Sequence, residues 1–106
     1  MAHYKSLCDL PEPAHKDDAG KPRFGLIPPK AERSVAEVLS FGAEKYDAEA
    51  WRRLEDGERR FLDAALRHIN AFRDGEKLDQ ESKNHHLAHA ISCLLFVLEL
   101  DFNDEP

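Results

Sequence analysis

Cysteine is nearly absent from this sequence. There are two, Cys8 and Cys93, with no CxxC pair. That excludes a disulfide framework of the kind that staples small secreted domains, and a reducing, cytoplasmic setting is expected. Long apolar runs are also missing. The longest, around Ala90–Leu98, is interrupted by Ser92, whereas a bilayer span needs about 20 apolar residues, so no membrane partner is expected. The start, Met1-Ala-His-Tyr-Lys, has no apolar stretch like that of a secretory leader. Positive charge is in deficit: 15 Lys and Arg against 21 Asp and Glu give a formal net charge of −6. No summed basic field exists to displace counterions from a phosphate polymer or an anionic surface, so no nucleic-acid polymer is expected as partner. A small anion held by a few local Lys and Arg residues remains compatible. Strand-period alternation, internal repeats and low-complexity tracts are absent too.

What is present suits one globular domain. The 106 residues are 42% hydrophobic and 34% charged. A chain this short buries only roughly 60–65% of its unfolded surface, so its core is thin and oligomerisation would enlarge it. Five of the six prolines, Pro11, Pro13, Pro22, Pro28 and Pro29, fall within the first thirty residues. Proline removes donors and extends its neighbours, which predicts a flexible segment over 1–20 and an extended arm leading into a domain at 21–106. Phe24, Leu26 and Ile27 are too apolar for a linker and are expected to pack back on the helices or onto a neighbouring subunit.

Helical spacing follows. A first helix is expected over Lys30–Tyr46, with Val35, Val38, Leu39, Gly42 and Tyr46 on one stripe. A second is expected over Glu58–Arg73, with Leu62, Ala65, Leu66, Ile69 and Phe72 facing the core and Gly75 as the stop. Glu76–Asn84 reads as a polar loop and His85–Asp101 as a third helix. The class is all-α. The third helix carries two apolar stripes, Leu87/Ile91/Leu94/Leu98 and Cys93/Phe96/Val97/Leu100, on nearly opposite sides. A rod apolar nearly all round is buried on both sides, which places it at the centre of a multi-chain bundle.

Several residue sets could carry chemistry. His86 and His89 stand one turn apart at the start of the third helix, where backbone N–H groups favour anions. They read either as ligands for a metal or phosphate, or as polar caps satisfied by backbone and water. His85, His89 and Cys93 have the spacing of half a zinc site, although Cys93 also fits as a small core residue. Glu37, Ser40, Glu44 and Asp47 share one face of the first helix. That face could hold Mg²⁺ or Mn²⁺ through oxygen, or could simply be solvated. Lys45 and Tyr46 follow it. On the second helix, Asp63 and Arg67 are spaced as an ion pair, Arg67 suits bidentate phosphate recognition, and His68 lies at the edge of the core stripe.

Four segments in order, Lys21-Pro-Arg-Phe-Gly-Leu-Ile-Pro-Pro, Phe41-Gly-Ala-Glu-Lys-Tyr with Trp51 beyond, Ala64-Ala-Leu-Arg-His, and Leu87-Ala-His-Ala, resemble the phage dATP/dGTP diphosphohydrolase N-terminal domain family, MazZ-like relatives of the MazG pyrophosphatases. The resemblance implies a MazG-like helical bundle working as a dimer or tetramer. It implies metal-dependent hydrolysis of a purine deoxynucleoside triphosphate, dGTP or dATP, to monophosphate and pyrophosphate, in the cytoplasm of a phage-infected or prophage-bearing bacterium. MazG enzymes bind Mg²⁺ through ExxE and ExxD motifs. Here His86-Leu-Ala-His89 stands in place of ExxD, and the ExxD at Glu44-Lys-Tyr-Asp47 is on another helix. The expected metal ligands are Glu37, Glu44, Asp47, His86 and His89, with Glu44, Glu37, His86 and His89 catalytic. The ion would be Mg²⁺ or Mn²⁺, or Zn²⁺ or Ni²⁺ given the imidazoles. Lys45, Arg67, Lys21 and Arg23 would offset phosphate charge, His68 would line the pocket, and Tyr46 or Trp51 would stack on the base. Loss of the acidic motif also fits a protein that binds and sequesters a nucleotide without cleaving it. The doubly apolar third helix alone would fit a helical adaptor.

Overall fold

The computed structural model describes residues 11–104, which are all-helical with no strand among them. Helix α1 spans Pro29–Lys45. Pro29 occupies its first turn, where a missing N–H costs nothing. It ends at Tyr46, whose backbone turns extended while its N–H still reaches the Gly42 carbonyl at 2.8 Å. A 3₁₀ turn at Ala50–Arg53 carries Trp51 to the start of α2, Gly57–Arg73. Helix α3 spans His86–Asn103, with the His85 side chain as its N-cap, Nδ1 accepting from the Leu87 N–H at 3.0 Å. All three expected helices are present, displaced by no more than two residues at any end.

The stop after α2 is a double hydrogen bond. The Gly75 N–H donates to Phe72 O and the Glu76 N–H to Ala71 O, both at 3.0 Å, with Gly75 at φ 100°. This left-handed cap satisfies carbonyls the helix end would orphan. A methyl group on Gly75 would meet nothing within 4 Å, so its cost is purely conformational. Gly75→Ala is expected to destabilise by about 1 kcal/mol and to lower Tm by about 4–8 °C, as read by thermal unfolding followed by circular dichroism.

Helix α3 is the common wall, packing on α2 along its length and on α1. The α1 side is a cluster of Val35, Val38 and Ala88 with Leu39 against it. Elsewhere, His86 apart, the buried positions are small: Ala65 is 1% exposed and Ala90 and Ser92 3% each. Small side chains let the helix backbones approach closely. The expected α2 core stripe is correspondingly turned: Ala65 is buried, but Leu62 and Leu66 are exposed. On α3, Ile91, Leu94, Leu95 and Leu98 are exposed, Leu98 by 53%, so this single chain covers only one side of that helix. By length and composition α3 is apolar enough to cross a membrane, beyond what its interrupted apolar run suggested; the core helix of a soluble protein passes the same test.

The segment 11–28 runs exposed along its length. Phe24 (76% exposed) and Leu26 (66%) sit on a short 3₁₀ turn, Phe24–Leu26, and bury nothing against this chain. The expected packing of the arm back onto its own helices therefore does not occur. Pro22 and Pro28 remove backbone donors from this stretch and favour extended neighbours. The first half of the expected flexible segment lies outside the described residues.

Candidate functional site

The loop between α2 and α3 is folded tightly. Leu78 and His85 form an antiparallel bridge, the His86 N–H reaches Lys77 O at 2.8 Å and the Asp79 N–H reaches Asn84 O at 2.8 Å. Inside this clasp Asp79 Oδ2 accepts from the Ser82 N–H at 2.8 Å, a side-chain-built turn typical of aspartate. The loop thereby delivers Asp79 and Ser82 to three histidines from the flanking helices.

His68 of α2 meets both histidines of α3. Its Nδ1 lies 2.8 Å from His86 Nδ1, and its ring stacks on His89 at 4.5 Å with a 10° interplanar angle. Ser82 Oγ accepts from the Asn84 N–H at 3.1 Å and is hydrogen-bonded to His89 Nε2 at 2.6 Å. Asp79 Oδ2 lies 3.9 Å from the same nitrogen. This is a serine–histidine contact with the carboxylate on the serine's side of the ring, not behind it, so it lacks the orienting geometry of a nucleophilic triad. His86 is buried (5% exposed), and its Nε2 has no hydrogen-bond partner although Glu76 Oε1 stands 3.3 Å away, off the bonding direction.

Burial sets the charge state here. It pushes the His68 imidazole below its ordinary pKa, helped by repulsion from His89 and His86. It lowers His89 likewise, against the opposing pull of Asp79. Burial alone would raise Asp79, but the Ser82 amide and hydroxyl, with His89, hold its carboxyl below the usual range. His68 and His89 thus favour the neutral imidazole beside an ionised Asp79 carboxylate. His68, His86 and Asp79 each offer one ligand atom within 4.8 Å of the others.

The cluster opens into a cleft of about 1020 Å³ between the C-terminal half of α1, the Trp51 turn, α2 and α3. Seven of the expected catalytic, substrate-binding and metal residues line it: Lys45, Tyr46, Asp47, Trp51, Arg67, His68 and His89. Lys45 is ion-paired to Glu81 of the loop, which, with Tyr46, raises its pKa. Arg67 has no ion-pair partner among the described residues, because Asp63 is held instead by Arg59 at 3.1 Å. The expected Asp63–Arg67 pair is not formed. Trp51 stacks on Phe96 at 4.5 Å and carries the Arg52 guanidinium 4.3 Å from its ring centre. Its ring therefore serves the wall, and Tyr46, 66% exposed, is the aromatic open to a ligand.

Other expected residues fall elsewhere. Glu37 pairs with Arg33 at 3.3 Å on an exposed face, and neither it nor Glu44 lines the cleft. Asp47 does, but its oxygens already accept from the Glu49 N–H and Arg53, which together lower its pKa. Lys21 and Arg23 lie on the exposed arm, away from the cleft lining. His85 caps α3 and packs on Phe72, so the His85–His89–Cys93 zinc spacing does not become a site. Cys93 lines the cleft, and burial raises its thiol. Sequence reasoning missed Asp79, Ser82, Glu76 and Glu81; the one available signal was Asp79-Gln-Glu-Ser82, an aspartate three residues before a serine in a short loop that ends on histidines.

These features define an all-helical domain whose open cleft offers cations at one end, an exposed tyrosine at its rim and an imidazole–carboxylate cluster in its floor. The family described as "dATP/dGTP diphosphohydrolase, N-terminal" matches residues 11–106, and the chain belongs to that family. It is 38% identical over 91 residues to a protein of Salmonella phage PMBT28 named "dATP/dGTP diphosphohydrolase". That alignment covers 86% of this chain and 30% of the relative, so the chain spans about a third of the length of that protein. No solved structure matches it.

Proposed function

We propose that the cleft binds a purine deoxynucleoside triphosphate, dGTP or dATP, and hydrolyses it to the monophosphate and pyrophosphate. The observation that carries this reading is the convergence of Arg67, Lys45 and Tyr46 on the histidine–aspartate cluster in a chain of this family. Arg67, unpaired, grips two phosphate oxygens at once. Lys45 exchanges Glu81 for phosphate. Tyr46 takes the base on its open face. His89, which lines the cleft and is hydrogen-bonded to Ser82, accepts the proton of the water that attacks the α-phosphorus as pyrophosphate leaves. The donors that fit a divalent ion are His68, His86 and Asp79. Bound there, a divalent ion would neutralise phosphate charge and acidify water, and two imidazoles suit Mn²⁺, Zn²⁺ or Ni²⁺ better than Mg²⁺.

The test is a panel of NTPs and dNTPs with Mg²⁺, Mn²⁺ or chelator, with monophosphate and pyrophosphate resolved. Metal-dependent dGMP or dAMP formation is the expected result. The position of Glu37 and Glu44 outside the cleft favours a second reading, sequestration without cleavage. In that case the triphosphates stay intact while the nucleotide still raises Tm, by an amount that at one hundred times its Kd corresponds to about 2.7 kcal/mol. Neither product nor shift would leave only a helical adaptor.

The exposed α3 stripe and the unsupported Phe24–Leu26 arm support a further part of this proposal, that a homodimer or homotetramer completes a MazG-like bundle in the cytoplasm of a phage-infected or prophage-bearing bacterium. Light scattering on the purified chain is expected to give a multiple of 12.1 kDa. Leu98→Glu is expected to lower that multiple.

A further inference from the structure

We infer that His68, His86 and Asp79 form a resident site for a borderline transition ion of the Zn²⁺ class, filled without nucleotide and selective against Mg²⁺. The inference rests on the cleft being the functional site, but its donors stand on their own geometry. Two nitrogens and one carboxylate oxygen lie within 4.8 Å of one another. Imidazole suits Zn²⁺, Ni²⁺ and Cu²⁺, whereas Mg²⁺ demands oxygen and keeps its waters. The two Nδ1 atoms are hydrogen-bonded across 2.8 Å, and an ion bridging them would replace the shared proton, with the rings parting to about 3.3 Å to suit two Zn–N bonds.

The outer contacts fit the same assignment. A histidine that ligates through one nitrogen usually directs the other N–H at a carboxylate. With His86 Nδ1 as donor atom, its buried and unpartnered Nε2 carries the proton and faces Glu76 Oε1, 3.3 Å away. A small rotation of Glu76 completes that bond. His68 is oriented by its stack on His89, which Ser82 anchors in turn. Three protein donors leave a tetrahedral ion one open position. His68 and Asp79 line the cleft and His86 does not, so the open position faces the cleft, where a water or a phosphate oxygen could take it. The site also ties the 74–85 loop to α2 and α3.

The test uses the full chain, stripped with chelator and free of nucleotide. Co²⁺ is added as a spectroscopic stand-in for Zn²⁺, and Zn²⁺ and Mg²⁺ are titrated by calorimetry. One equivalent of Co²⁺ per chain with the intense visible absorption of a low-coordinate nitrogen–oxygen site is expected, along with Zn²⁺ binding that raises Tm and no Mg²⁺ binding of comparable strength. Asp79→Asn, near-isosteric, and His68→Ala, at a half-buried position, are each expected to weaken Zn²⁺ by more than about 100-fold, with helical circular dichroism retained. Co²⁺ absorption indistinguishable from the aqueous ion, or Zn²⁺ affinity unchanged in both variants, would overturn the site and leave the two histidines as a plain hydrogen-bonded pair. Turnover is read separately. Ion binding without hydrolysis sinks the activity and spares the site; Mg²⁺-driven hydrolysis without Zn²⁺ or Co²⁺ binding does the reverse.

Discussion

Arg67→Ala is expected to lower kcat/KM for the preferred purine deoxynucleoside triphosphate by about 100-fold, equivalent to about 2.7 kcal/mol of lost transition-state stabilisation. The reasoning starts with a competition on α2. Asp63 could serve Arg59 or Arg67, and Arg59, which also holds Asp56, takes it. Arg67 is left at the cleft wall with no counter-charge among the described residues. A guanidinium so placed gains most from an incoming phosphate, and most when charge grows on that phosphate during reaction. Arg67→Lys keeps the charge and loses the fork, and recovers only part of the rate. Because the side chain is exposed and unpaired, Tm should change little in either variant. Steady-state kinetics on both variants decides it. Unchanged kcat/KM in Arg67→Ala would remove this residue from the phosphate path.

The second large effect is structural. Ala65→Leu is expected to destabilise by about 2 kcal/mol and to lower Tm by roughly 10 °C. Ala65 is 1% exposed on α2, whose main packing partner is α3, and the interior there has no slack for three more carbons. Its consequence reaches the site, since His68 sits one turn further along α2. Forcing the helices apart separates His68 from His86, now 2.8 Å apart at Nδ1. Thermal unfolding and nucleotide-free Zn²⁺ titration of the variant should therefore fall together. The comparison variant Ala65→Gly should cost only about 1 kcal/mol and should leave ion binding in place. An unchanged Tm in Ala65→Leu would mean that the α2–α3 seam is looser than its burial implies.

The helices were legible in the sequence because their punctuation is strong: two prolines at the start of α1, Gly75 after α2, and apolar spacing between. Much of the cleft was legible too. Lys45, Tyr46, Trp51, Arg67, His68 and His89 come from four separate elements, yet each stood out by residue type. The face of α1 was not. A helical wheel says that Glu37, Glu44 and Asp47 share a side, but not which side meets the cleft, and Glu37 turned out to face solvent with Arg33. Asp79 and Ser82 were hidden for a different reason. A charged stretch between helices looks like any solvated loop until its own hydrogen bonds fold it inward. The two stripes of α3 were visible, but one chain can cover only one of them.

The donors of the cluster come from one uninterrupted stretch, from His68 through the clasped loop to His89, while α1 touches that stretch mainly through α3. The molecule thus has two inheritable parts. The hairpin can pass between proteins whole, since the contacts that fold it are the contacts that aim its donors. Helix α1 is tied to that hairpin at two points, Val35 and Val38 against Ala88 and Lys45 on Glu81, so only its outer face can drift without disturbing what lies beneath.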